Sequence, residues 1–85
     1  MNRGEIHGCI EAIVRDLYPQ NDGAIPENLP VLGPEGVLDS VLGLQLLLKL
    51  EERFGIVVND EEIDGENLSS LRSISRFVAR KLAAN

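Results

Sequence analysis

The chain is predicted to be all-α: a small bundle of three main helices and one short helix, with a long loop between the first two main helices. Three observations predict it. Apolar residues recur at helical spacing in three separate stretches, near the start, middle and end of the chain. All the prolines (Pro19, Pro26, Pro30 and Pro34) fall between the first two of those stretches. The β-branched run Gly55-Ile56-Val57-Val58 could be read as a strand, but it has nothing to pair with and reads better as an extended connector. At 85 residues the whole chain, 1–85, fits one domain with one modest core.

The first helix is expected over residues 3–17. Ile6, Ile10, Ile13 and Leu17 fall within about 60° of one another on a helical wheel. Glu11 and Arg15 lie on the far side, four residues apart, a spacing that permits a weak ion pair. Cys9 sits at the edge of the stripe. A reactive thiol would need an activating cation and partial exposure, and a small hydrophobe at the rim of the core is the plainer reading. Having one cysteine, the chain has no intramolecular disulfide framework and fits a reducing compartment. His7, the single histidine, lies beside the stripe without an evident partner and reads as a half-exposed surface residue.

Residues 18–38 form a loop that is long for a compact domain. Besides the prolines it holds Gly23, Gly33 and Gly36. Its apolar residues Ile25, Leu29, Val31, Leu32 and Val37 predict that it packs over the helices. A helical turn is expected near residues 26–29.

The central helix follows. Asp39 is a good N-cap, because its carboxylate can accept the unpaired amides of the first turn. Ser40 takes the first helical position, with its hydroxyl in water. Gly55 stands where a left-handed residue ends a helix. Two apolar stripes run along this helix. Gly43, Leu46, Leu47, Leu50 and Phe54 fill an arc of roughly 100°, wide enough to face a core. Val41, Leu44 and Leu48 cluster on the opposite side. A domain of this size cannot readily bury both faces. Either the long loop covers the second stripe or it stays partly exposed; exposure is expected, with Glu51 and Glu52 at the rim of a docking surface.

Beyond it, the connector is expected to bury Ile56 and Val58. Asn59 or Asp60 then caps a short helix over residues 61–64 that ends at Gly65. The final helix is expected to start at Ser69 or Ser70 and to run to about residue 83. Leu71, Ile74, Val78 and Leu82 form its core stripe, with Phe77 at the margin. Arg76, Arg80 and Lys81 complement the negative end of its dipole.

Several functions are disfavoured. A net charge of −6 and a pI near 4.6 repel phosphate backbones, so a nucleic-acid partner is not expected. Basic patches on protein partners would be attracted instead. No long apolar run or cleavage pattern suggests a membrane span or a signal peptide, and a cytoplasmic monomer is expected. Residues 60–65 resemble the opening of a calcium loop, but Leu71 stands where the bidentate glutamate belongs, so no metal site is expected. A serine hydrolase would need a base and an orienting group beside Ser40. His7 is the one candidate base and lies on another helix, and the glycine-flanked elbow is missing. No catalytic residue is assigned, and the chain is not expected to be an enzyme.

The run Leu38-Asp39-Ser40-Val41, followed by a leucine-rich helix ending Leu50-Glu51-Glu52-Arg53-Phe54-Gly55-Ile56, resembles the acyl carrier protein family. The likeness covers most of the chain. It implies an acyl-carrier-like bundle with 4′-phosphopantetheine attached covalently to Ser40, the serine after the aspartate. Acyl intermediates would ride on that arm as thioesters and be presented to partner enzymes. A phosphodiester on Ser40 would sit beside unpaired amides at the positive end of the helix dipole. The resemblance implies as partners a phosphopantetheinyl transferase, an acyl- or aminoacyl-loading ligase, and acyl-processing enzymes. Docking would use Asp39, Val41, Leu44, Leu48, Glu51 and Glu52. The sequence departs from the family's pattern in three ways: Val41 replaces a leucine, Leu42 and Gln45 stand where acids are usual, and Lys49 adds a positive charge. These departures point to a specialised, non-housekeeping carrier. They keep open an aminoacyl or peptidyl carrier loaded by an adenylating ligase. An unmodified helical docking module is the rival from another class.

Overall fold

A computed structural model describes residues 2–18, 25–64 and 66–84. Pro19, Gly23 and Gly65, named above, lie outside the described residues. Three α-helices and one 3₁₀ turn make up the regular structure, in the order α1 (Arg3–Leu17), α2 (Ser40–Phe54), the turn (Asp60–Glu62) and α3 (Leu71–Ala84). No strand is present among the described residues; a single antiparallel bridge joins Pro30 to Ser70.

Each helix starts where a side chain can take up free amides. α1 opens with a reciprocal box: the Glu5 N–H donates to Asn2 Oδ1 (2.8 Å) and the Asn2 N–H to Glu5 Oε1 (3.2 Å). At α2 the Leu42 N–H donates to Asp39 Oδ1 at 2.8 Å, and Gly55 ends the helix at φ 66°. At α3 two serines do the same work: the Ser73 N–H donates to Ser70 Oγ (3.2 Å) and the Ser70 N–H to Ser73 Oγ (2.9 Å). Ser70, and not Ser69, is therefore the cap.

α1 packs against both other helices, more extensively against α3. The core joins Ile6, Ile10 and Val14 of α1 with Leu46, Leu47 and Leu50 of α2 and Leu71, Ile74 and Val78 of α3. Four details depart from the stripes predicted above. Val14 is fully buried while Ile13 is half-buried, because α1 turns its stripe toward α3 and leaves Ile13 at the α1–α2 cleft. Phe77, placed at the margin, is buried in the core. Leu82, placed in the core, is half-buried where the bundle opens between Asn2, Arg3, Ile6 and Phe54. The short helix is a three-residue 3₁₀ turn that starts at Asp60, one residue earlier than predicted. Its length is set locally: Glu62 Oε1 accepts the Asn59 N–H at 2.9 Å, closing the turn after three residues.

The long loop packs over the helices as its composition predicts. Ile25, Val31 and Leu38 are buried, and Leu29, Leu32 and Val37 half-buried. A turn closes between the Leu29 N–H and the Pro26 carbonyl (3.0 Å). The loop is then tied to the start of α3. The Val31 N–H donates to the Ser69 carbonyl at 2.7 Å, and the Arg72 N–H to the Glu27 carbonyl at 3.0 Å. Leu38 and Val37 return bonds to the carbonyls of Val31 (3.1 Å) and Pro30 (3.0 Å). Gly36 is required there, because a Cβ would fall 2.4 Å from the Val31 carbonyl oxygen.

Candidate functional site

The site is built where that tied loop meets α2. Leu38 is buried and hydrogen-bonded to Val31, which fixes the chain just before the helix. Asp39 adopts extended backbone (φ −76°, ψ −176°) and caps the helix, so Ser40 begins it in the open. On its buried side α2 meets the loop closely. Gly43 lets Leu32 approach, since a Cβ there would lie 2.7 Å from Leu32 Cδ2. A hollow of about 230 Å³ opens beside that contact, between Leu32, Gly33, Ile63, Asp64, Leu68 and Ser69.

Ser40 differs from the other hydroxyls. The chain has five serines and no threonine. Ser69, Ser70 and Ser73 bond to one another and are half-buried. Ser75 is buried in α3. Ser40 alone is exposed. The Asp39 side chain takes the Leu42 amide and its carbonyl takes the Gly43 amide (2.8 Å), so the earlier amides of α2 remain turned toward the region of Ser40. No acidic residue stands in the first turn of α2. An anion joined to the Ser40 oxygen would meet free amides and the positive end of a helix dipole, with the Asp39 carboxylate next in sequence. The residues present therefore fit a phosphodiester.

The outward stripe of α2 is exposed: Val41 by 64%, Leu44 by 60% and Leu48 by 56%. The long loop does not cover it. Glu51 and Glu52 flank the stripe on opposite sides, but they are not equivalent. Glu51 is half-buried, and its Oε2 accepts the Val58 N–H at 2.9 Å, which holds the connector against α2. Glu52 is exposed at the α1–α2 cleft with Ile13, Asp16, Lys49 and Arg53. Val57 (66% exposed) and Ile63 (44%) add apolar surface on the connector, which the sequence reading did not single out. The adjacent β-branched pair at 57 and 58 was the available signal, since in an extended connector one of two neighbours faces outward; Val57 is exposed and Val58 half-buried.

The remaining candidates stand apart from Ser40. His7 is half-buried on α1, beside a cleft that also takes in Glu27 and Arg72, and it makes no dyad with Ser40. Cys9 is partly exposed and accepts from Arg53 Nη2 at 3.2 Å. Among the described residues no group of three or more His, Cys, Asp or Glu side chains could hold a metal ion. Nor is any helix long and apolar enough to cross a membrane.

Sequence comparison decides the family. The profile described as phosphopantetheine attachment site matches residues 10–78, most of the chain. The chain belongs to the acyl carrier protein family. An acyl carrier protein from Thermosynechococcus vestitus (strain NIES-2133 / IAM M-273 / BP-1) is 33% identical over 85 residues, covering 99% of this chain and 100% of that one. A D-alanyl carrier protein from Abiotrophia defectiva is 31% identical over 64 residues, 74% of this chain and 81% of that one. The cofactor of such a carrier is covalent 4′-phosphopantetheine, and the chain is a phosphopantetheine carrier. The two relatives carry different kinds of cargo by name, and the sequence is compatible with either kind of carrier.

Proposed function

We propose that Ser40 carries the phosphopantetheine arm and that the chain shuttles acyl groups, held as thioesters on the arm's thiol, between enzymes of acyl metabolism. The observation that carries this reading is that Ser40 is the one exposed hydroxyl among the serines and sits at the start of a helix. A phosphopantetheinyl transferase needs to reach that oxygen, and the protein leaves Ser40 exposed to water. The tether then raises the effective concentration of cargo at each partner's active site. Docking would use the exposed Val41, Leu44 and Leu48, with Asp39, Glu51 and Glu52 around them. The hollow between Leu32 and Leu68, beside the contact of Leu32 with Gly43, would offer apolar walls to the arm or its cargo. The domain, 1–85, would act as a monomer in the cytoplasm and leave the chemistry to its partners.

Intact mass spectrometry after incubation with coenzyme A and a phosphopantetheinyl transferase tests the attachment. The wild-type chain should gain the mass of one arm, and Ser40→Ala should gain nothing. A gain that survives Ser40→Ala would remove Ser40 from the role.

An aminoacyl carrier is the second reading. It is favoured by the lack of acids early in α2, where Leu42 and Gln45 stand, and by the D-alanyl carrier among the relatives. Loading the holo protein with fatty-acid and amino-acid ligases separates the two: transfer by the amino-acid ligase alone would favour it.

A further inference from the structure

The chain is strongly acidic overall, yet one cleft away from Ser40 is basic. It holds about 300 Å³ and is lined by Arg3, Gly4 and His7 of α1, Glu27 of the loop, and Arg72 and Ser75 of α3. Arg3 and Gly4 are the first two residues of α1, so the positive end of that helix dipole lies at its rim. Ser75 is 5% exposed, and its Oγ has no hydrogen-bond partner. An orphaned buried hydroxyl forfeits its bonds to water without replacement, so it calls for a partner. Arg3 makes no ion pair among the described residues.

The cleft already holds one anionic group. Glu27 Oε2 accepts from Arg72 Nη2 at 2.8 Å. That guanidinium holds the Glu27 carboxyl below its ordinary value, and His7 and Arg76 push it the same way. Despite the net charge of the chain, a negative group here feels a favourable field.

We infer that this cleft is a binding site for a phosphate-type oxyanion, held by Arg3, Arg72, the His7 ring and the Ser75 hydroxyl, with Glu27 as an internal competitor for Arg72. Arg3 supplies a free guanidinium at the mouth and Ser75 a donor hydroxyl in the wall. Arg72 is anchored through its own amide to the Glu27 carbonyl, so its backbone stays fixed whichever anion its side chain holds. The same donors would suit inorganic phosphate or the terminal phosphate of a phosphomonoester.

The test titrates the full chain with inorganic phosphate, and separately with a small phosphomonoester, at low ionic strength, following backbone amide NMR shifts. Saturable shifts centred on Gly4, His7, Arg72 and Ser75 are expected. Tighter binding of the phosphomonoester would identify an esterified ligand, and equal binding would identify the free ion. Glu27→Gln should tighten binding roughly two- to fivefold, the value of one exposed charge pair. Arg3→Gln should weaken it by a similar factor, and Ser75→Ala should weaken it too. Arg3 and Glu27 are exposed, so their variants should keep the wild-type melting temperature, which keeps the test valid if Ser75→Ala proves unstable. Linear shifts spread over every basic residue, or an affinity that Glu27→Gln and Arg3→Gln leave unchanged, would overturn the site. None of these variants touches Ser40, so arm attachment is read independently.

Discussion

The two faces of α2 are made of the same residue types and have opposite fates. Leu46, Leu47 and Leu50 are buried against α1, α3 and the loop, whereas Val41, Leu44 and Leu48 stand more than half exposed. Leucine content therefore says little about role; what matters is whether another element comes to cover the face. The loop could have covered the outer face, but its bonds to the start of α3 draw it over the inner one. Three apolar side chains are left in water along the helix that Ser40 opens. That exposure is the observation on which the proposed docking role of the outer face rests.

Paired truncations sharpen this contrast most. Leu50→Ala removes a side chain with no exposure and should cost about 2–5 kcal/mol in urea denaturation. Leu48→Ala should stay within about 0.5 kcal/mol of wild type. Equal losses would abolish the distinction between the faces. On the outer face the effect should appear in function: Leu44→Lys should lower kcat/KM for transfer of the arm by about tenfold, the size of a modest interface hot spot, at an unchanged melting temperature. Asp39→Ala acts on the start that both faces share. Loss of the cap should cost about 0.5–2 kcal/mol of stability and leave the hydroxyl of Ser40 in place for modification.

The smallest effect lies on neither face and serves as a control. Hydrogen bonding from Lys81, at 2.8 Å, holds the Glu62 carboxyl below its ordinary value of 4.5. A lowered folded-state value means that the contribution is fully present above about pH 4.5 and fades as the pH falls through the lower folded value. The pair is partly exposed, so the change should be small. Lys81→Met should flatten the acid limb of a stability-versus-pH curve. It should do so without altering the difference between Leu50→Ala and Leu48→Ala.

What was legible in the sequence was whatever a single segment decides. Asp39, Ser40 and Gly55 read as the ends of α2 because capping chemistry acts within four residues, and the two stripes of that helix follow from its period. Membership of the family was legible in the same stretch. What stayed hidden depends on segments meeting. The bond from Val31 to Ser69 joins positions nearly forty residues apart. The depth of Phe77 and the half-exposure of Leu82 depend on where the bundle stops, which no helical wheel contains. Glu51 reads as a rim charge from its place on α2, yet its carboxylate is committed to Val58. The basic cleft draws on α1, the loop and α3, so its parts look unrelated in the sequence. Cys9 beside Arg53 was invisible for the same reason.

The peptide units around Val31 take part in two bonds at once, one to the chain just before α2 and one to the chain just before α3. This makes Val31 a fulcrum between the two. The beginnings of both helices are tied there, so a displacement of one start would strain its bond at Val31 and pull on the other. A helix of 15 residues is about 22 Å long, and a swing of about 10° moves its far tip by about 4 Å. Ser40 stands two residues beyond the tied Leu38, so such a swing would displace it far less than Phe54 at the other end of α2.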